Sequence, residues 1–600
     1  MTNKVRKIVK ELENIYKTQT IPIVKFRDDK YVLNSKYKIG KIKLNNKIAM
    51  LELEQNSSQK VFIEFDSLNG AYNDDKVVVQ ILFNPKGKTK AKVVHILESS
   101  NSTILVFCQD KKLFTIKESV QIITESLELN DGDVAVIQNN KILEHLGNIK
   151  SAKVDEKISL YLYNEVYRLE QFKNIKIPTS GETITKSRVD LTHLDFCTID
   201  PASAKDHDDA IYYDELNSEL YVAIADVSAY VKENSKLDEE AQKRAFSIYL
   251  PHKVLPMLPF ELSTDLCSLV PNKPRLSYVF KIKLDIANIK VKSAELFEAT
   301  IESKNKYSYE YIDDILEEND KTNEFVKLYN ITKKFRNKRL KNGYDFRNDE
   351  VRLVLDKEEN LKEFQVESST PSHSLIEECM LLANQEAAKR LKLLGIYRVH
   401  DEPSAAKIKK LLDEVNELGL KAKLKNDVHS TILSIQSKAK SANIEQEVDE
   451  LIIQSQQQAK YSSIKAEHFG LGFKDYSHFT SPIRRYADLV LHRILKTHDI
   501  PKDIENVCED ISSKEREIAS LVWDYEDRKY ARYLNNSIDK VFIARVVDTT
   551  NKIVKLDDSS MKGARVYLDN YSGEKLFTEL KIKIISSDII SKKVIGKVIK

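Results

Sequence analysis

Four carboxylates crowd into ten positions of the stretch Thr198-Ile199-Asp200-Pro201-Ala202-Ser203-Ala204-Lys205-Asp206-His207-Asp208-Asp209-Ala210: Asp200, Asp206, Asp208 and Asp209. Their flanks limit the folds open to the chain. Residues 194–199 read as a strand, and 210–213 and 220–227 read as two more. The acidic cluster is therefore expected between buried strands, where unpaired charge is expensive. Like charges this close repel, and a cation among them turns the cost into attraction. Short oxygen donors with no Cys and little His suit Mg²⁺ or Mn²⁺, as in phosphoryl transfer. Two other readings compete on this stretch alone. Asp-rich loops are often solvated turns with Asx caps. A calcium loop of the helix–loop–helix kind needs Gly at its sixth position and Glu at its twelfth. Counted from Asp206, those positions hold Ile211 and Asn217, so that reading fails.

The 600 residues exceed one domain and suggest three to five. No run of about 18 apolar residues occurs, so no membrane span is expected. The start, Met1-Thr2-Asn3-Lys4-Val5-Arg6-Lys7, leads into a charged segment and not an apolar signal core. Cys108, Cys197, Cys267, Cys379 and Cys508 are scattered and odd in number. That pattern fits a reducing cytoplasm and gives no zinc site. The net charge is +3, unevenly spread: residues 538–600 carry 13 Lys/Arg against 8 Asp/Glu, which leaves −2 on the rest. A basic terminal module on a near-neutral body points to an anionic polymer partner, against the plainer reading of a Lys-rich soluble surface.

An N-terminal helical segment is expected over 1–35, with an amphipathic helix over 4–16. Short alternating runs separated by Asn, Gly and Asp turns read as a small β-barrel over 36–98. The same rhythm gives a second over 99–155, with one irregular β domain as the alternative. A linker spans 156–188, and a mixed strand-and-helix unit spans 189–500. Within that unit a helix over 374–394 puts Ile376, Cys379, Met380, Ala383 and Ala387 on one face, read as core. A helical segment over 501–537 carries an apolar stripe from Ile504 to Tyr525, and a last short barrel follows over 538–600.

A second constellation is His478-Phe479-Thr480-Ser481-Pro482-Ile483-Arg484-Arg485-Tyr486. Thr480 or Ser481 suits a helix N-cap and Pro482 the first helical position. Arg484 and Arg485 would then oppose the helix dipole unless an anion is bound there. Pairing with a carboxylate such as Asp488 is the rival reading. Tyr249 and Tyr309 are candidate base-stacking rings, though a Tyr beside Leu250-Pro251 is more often core.

Together these segments resemble the RNase II/RNase R (RNB) family of 3′→5′ exoribonucleases. The resemblance also rests on Tyr249-Leu250-Pro251, Leu262-Ser263-Thr264-Asp265-Leu266, Ile376-Glu377-Glu378-Cys379-Met380, Tyr397-Arg398-Val399-His400-Asp401 and His468-Phe469-Gly470-Leu471. It implies a multidomain α+β architecture: small OB-type β-barrels, cold-shock-like at the front and S1-like at the end, flanking a central mixed α/β RNB catalytic domain. It also implies that Asp200, Asp206, Asp208 and Asp209 hold Mg²⁺ (Mn²⁺ also suits) and the leaving nucleotide. Arg484 would grip the scissile phosphate, Tyr249 would stack on the terminal base, and Tyr309 and Arg485 would contact RNA. The implied partner is single-stranded RNA, digested processively by a cytoplasmic monomer to nucleoside 5′-monophosphates. Association with an RNA helicase or the ribosome is left open, as is behaviour on structured RNA. The Arg485-Tyr486 pair leans towards the RNase R branch. The aromatic platform usual in the family's first barrel is missing near Lys47-Ile48-Ala49-Met50-Leu51, which puts base stacking by that barrel in doubt. The rival function is a catalytically idle RNA-binding scaffold of the same fold; all four carboxylates and Arg484 being present speaks against it.

Overall fold

The computed structural model describes residues 24–599 apart from 28–29, 46–47, 54–59, 70, 83–88, 99–102, 118, 123–127, 139–140, 168–171, 174, 179–187 and 347–348. The helix expected over 4–16 lies outside the described residues. The chain divides into two compact units, 1–162 with 587–593 and 163–586 with 594–600.

In the first unit, Val24–Arg27 and Lys30–Leu33 pair as an antiparallel hairpin, where a helical segment had been expected. The reason is local: Val24-Lys25-Phe26-Arg27 alternates apolar and basic with period two, a strand pattern. Strands Tyr37–Asn45, Ile48–Leu53, Lys60–Ile63, Lys76–Leu82 and Lys90–Glu98 close into a barrel. Its interior is filled by Ile42, Leu51, Val61, Val77, Val79 and Val93, taken at every second position. Strands Ile104–Gln109, Lys112–Thr115, Gln121–Ile122, Asp133–Gln138 and Lys141–Asn148 form an antiparallel five-stranded sheet. Val134 and Val136 face one side, where helix Val154–Tyr163 adds Val154 and Ile158; Ala135 and Ile137 face the other.

The core of the second unit is a six-stranded mixed sheet in the order Val189–Asp190, Lys290–Ser308, Phe196–Asp200, Asp209–Asp214, Glu219–Ala225, Pro274–Asp285. The 19-residue strand Lys290–Ser308 runs parallel to Phe196–Asp200 and antiparallel to Pro274–Asp285, so the sheet curls back on itself. Strands Phe196–Asp200 and Glu219–Ala225 are mostly buried, as the covered middle of a sheet requires, whereas the long strand Lys290–Ser308 carries charged residues along its exposed part. Helices Tyr309–Glu318, Glu324–Arg339, Pro371–Arg390 and Tyr486–Thr497 contribute to the same core. Helices Ala405–Glu417, Val428–Ala442 and Glu445–Ser455 form the connection in sequence from strand Leu394–Val399 to its partner Lys460–Ile464 and share a separate core. The 32-residue helix Ile504–Asn535 buries Ile504, Val507, Ile511 and Tyr525 of the expected stripe. Strands Val541–Asp548, Ile553–Asp558, Met561–Leu568, Glu579–Asp588 and Lys593–Val598 then close a last barrel. No described helix is long and apolar enough to cross a membrane.

Candidate active site

Strand Phe196–Asp200 ends on its acid because Thr198 and Ile199 are drawn into the core while Asp200 reaches the rim. In parallel register Asp200 lies opposite Ser308. Ser308 caps the next helix by accepting from Tyr311 N–H, which sets Tyr309 at its first position, beside the acidic loop. The loop 201–208 is tied from outside. Lys306 Nζ donates to the carbonyls of Ala202 (3.1 Å) and Ala204 (2.6 Å), and Ser268 Oγ donates to Lys205 O (2.8 Å).

The two sequence constellations meet here. Ile483 N–H donates to Asp208 Oδ1 at 2.8 Å, and Arg484 Nε stands 3.6 Å from Asp208 Oδ2. Asp208 is only 4% exposed, and its Oδ2 has no hydrogen-bond partner. Burial pushes its carboxyl well above the usual carboxylate range; Arg484 opposes this, and Asp206 and Asp209 reinforce it. Burial and the nearby Asp200 push Asp209 up to about 7, against Arg484 and Arg485. Tyr249, on strand Ile248–Leu250, donates its hydroxyl to Asp206 Oδ2 at 2.7 Å. The Tyr309 ring stacks on His373 with centroids 3.8 Å apart.

Asp200, Asp206, Asp208, Asp209, Tyr249, Tyr309, Arg484 and Arg485 all line one cavity of about 650 Å³. Among the described residues, no three of the four carboxylates bring an oxygen each within 4.8 Å of one another, so they ring the cavity rather than converge on a point. An orphaned buried carboxylate oxygen, hard donors and acids that resist ionisation together fit a divalent cation.

One expectation is corrected. The helix does not begin at Pro482; it runs Tyr486–Thr497. Arg485 is held extended in a β-bridge with Phe246, Ser247 N–H donates to Arg484 O, and Tyr486 N–H donates to Ala245 O, so the backbone cannot coil there. The arginines also part company. Arg485 Nη2 pairs with the fully buried Asp488 at 2.8 Å, the carboxylate alternative noted above, while Arg484 keeps 44% of its side chain exposed.

Ile376, Cys379, Ala383 and Ala387 are buried in the core as expected and Met380 packs against it; Ile376 and Met380 also line the cavity. Single-residue reasoning missed Arg398, His468, Tyr476 and His478 in its wall. Arg398 is gripped in bidentate fashion by Glu515 (2.6 and 2.9 Å) and lies over the Tyr461 ring. Burial lowers His468 to about 3, helped by His400, so it is neutral. Arg398, His468 and His478 fall in the motifs 397–401, 468–471 and 478–486, with no spacing rule to tie them to the acids, and Tyr476 lies outside all three.

A chain that carries strand-rich barrel modules and a curled sheet whose acidic loop meets an arginine defines the class, a nucleic-acid-handling hydrolase. The RNB domain matches residues 188–499; the ribonuclease R N-terminal first OB domain matches 1–92 and the second OB domain 97–160. Ribonuclease R of Helicobacter pylori (strain ATCC 700392 / 26695) is 32% identical over 620 residues, covering 96% of this chain and 94% of that protein. Ribonuclease R of Thermotoga maritima is 29% identical over 621 residues, covering 93% and 86%. The solved structure of Mycoplasma genitalium RNase R in complex with ribose methylated single-stranded RNA is 25% identical with a TM-score of 0.76, covering 94% of this chain and 100% of that one. The chain belongs to the RNB family of 3′→5′ exoribonucleases, on its ribonuclease R branch.

Proposed function

We propose that the protein hydrolyses single-stranded RNA processively from its 3′ end and releases nucleoside 5′-monophosphates, as an exoribonuclease of the II type. The observation that carries this is the Ile483–Asp208 hydrogen bond, which fixes the arginine turn against the acidic loop in one cavity. Asp200, Asp206, Asp208 and Asp209 would hold Mg²⁺, with Mn²⁺ an acceptable substitute. A divalent ion held there supplies charge neutralisation at the phosphate and an acidified water. Arg484, exposed and beside Asp208, meets the charge that develops on the scissile phosphate. Tyr249 stacks on the terminal base, with its hydroxyl anchored on Asp206. Tyr309, backed by His373, contacts RNA further along. Arg485 serves RNA indirectly, by bracing the turn that presents Arg484. The last barrel, S1-like in role, adds a sequence-tolerant grip. Five free, buried cysteines suit a reducing cytoplasm, and a monomer suffices because one chain carries every group named.

The test is Asp208→Asn. Incubated with labelled poly(A) and Mg²⁺, the variant is expected to release no mononucleotides while still shifting RNA in a gel. Substantial hydrolysis by the purified variant would refute the assigned role. Mononucleotide release by the wild type is expected to stop in EDTA.

A further inference from the structure

His207 lies between two of the cluster's acids in sequence, yet it is 2% exposed and its ring turns inward. Its Nδ1 is 2.6 Å from Asp200 Oδ2. The backbone on both sides of the ring is fixed: His207 N–H donates to Ser268 Oγ at 2.9 Å, and His207 O accepts from Leu269 N–H at 3.0 Å. Ser268 is itself fully buried and tied to Lys205 O. The imidazole therefore has little freedom to leave Asp200. A buried imidazole is costly unless hydrogen-bonded, so a residue chosen only to fill this space would be apolar.

We propose that His207 is a positioning residue that sets the site's affinity for its divalent cation by holding Asp200 in a single orientation. Donation from Nδ1–H engages one carboxylate oxygen and leaves the other to face the cavity. Without that donor, Asp200 can rotate at the end of its strand, and ordering it again on binding costs affinity. Partners of this kind behind a ligand are worth about 10–100-fold in metal affinity. The proposal rests on the reading that the four carboxylates hold the cation.

The test is Mn²⁺ binding to the full-length, RNA-free protein, with free Mn²⁺ followed by electron paramagnetic resonance. His207→Phe is expected to bind about tenfold or more weakly. His207→Asn, whose amide can donate to the same carboxylate, is expected to recover affinity to within about threefold of wild type. Wild-type affinity in H207F, or equal loss in H207F and H207N, overturns the proposal. Asp208→Asn separates this from failure of the site itself. Mn²⁺ affinity unchanged in D208N refutes the carboxylate site, whereas loss in D208N with none in H207F refutes only the role of His207. If H207F does not fold, the downfield imidazole N–H resonance of the wild-type protein decides. It is expected to move when Mg²⁺ is added and to vanish in Asp200→Asn; a signal indifferent to both overturns the proposal.

Discussion

Arg484 and Arg485 are chemically identical neighbours with opposite surroundings. Arg485 neutralises Asp488, which is fully buried and also accepts from Ser481 N–H at 2.8 Å. Removing the guanidinium leaves that carboxylate charged and without its counter-ion, so Arg485→Ala is expected to cost about 3–5 kcal/mol of stability. Arg484 is largely exposed and stands 3.6 Å from the buried Asp208, which keeps its bond from Ile483 N–H, so Arg484→Ala is expected to melt close to wild type while single-turnover cleavage falls about 10²–10³-fold. Thermal melts and rapid-quench assays on both variants check this, and an equally unstable R484A would contradict it. Tyr249 splits in the same way. Tyr249→Phe keeps the ring and loses only the bond to Asp206, so the length of the final product should stay as in wild type. Tyr249→Ala should change that length, read on a sequencing gel. The residue types were legible before the fold. Which arginine turns inward was not, because the choice is made by the β-bridge to Phe246, far away in the chain.

Three elements are joined by one buried carboxylate. Asp226 follows strand Glu219–Ala225 and is fully buried. It accepts from Arg188 Nη2 (2.5 Å), ahead of the first strand of the sheet, and from Lys496 Nζ (2.6 Å), near the end of helix Tyr486–Thr497. Glu298, on the long strand, pairs with both cations. Burial alone would raise the Asp226 carboxyl, but Lys496 and Arg188 hold it well below the usual range. An unfolded Asp titrates near 4, so between that pH and the lower folded value the native state binds fewer protons. The stability from this group is therefore complete above about pH 4 and is lost as the pH falls further. Asp226→Asn is expected to lower stability by about 3 kcal/mol at pH 7, and by visibly less at pH 3, in urea midpoints at the two pH values. A gap that does not depend on pH would show that the pair contributes no linked stability. The elements themselves were readable where one period dominates, as in Ile504–Asn535 and strand Asp209–Asp214. What joins them was not. The parallel pairing of Lys290–Ser308 with Phe196–Asp200 depends on long-range contacts, and no local pattern encodes those.

At the scale of the whole molecule, the proposed grip on RNA is expected to rest on charge. The excess of cations over 538–600 pointed to an anionic polymer, but the folded barrel uses several of them internally. Arg545 pairs with Glu447 (3.1 Å) and Asp557 (3.0 Å), Lys562 with Asp557 (3.0 Å), Arg565 with Asp527 (2.6 Å) and Lys583 with Asp539 (2.7 Å). Strand register adds something that composition hid. Arg545, Lys555 and Arg565 stand opposite one another on three adjacent strands, forming a basic row across the barrel. Like charges in register are unfavourable. The outer two relieve the repulsion through carboxylates on neighbouring elements, and Lys555 in the middle is exposed. A phosphate backbone laid along the row would relieve it further. Each phosphate contact contributes about one unit to the slope of log affinity against log salt. Lys555→Glu is therefore expected to weaken single-stranded RNA binding, to flatten that slope by about one, and to leave cleavage of already bound RNA unchanged. Fluorescence anisotropy over a salt series measures the slope and single-turnover quenching the cleavage. An unchanged slope would place RNA elsewhere on the barrel, and a fall in single-turnover cleavage would mean that the row reaches the catalytic step rather than the grip alone.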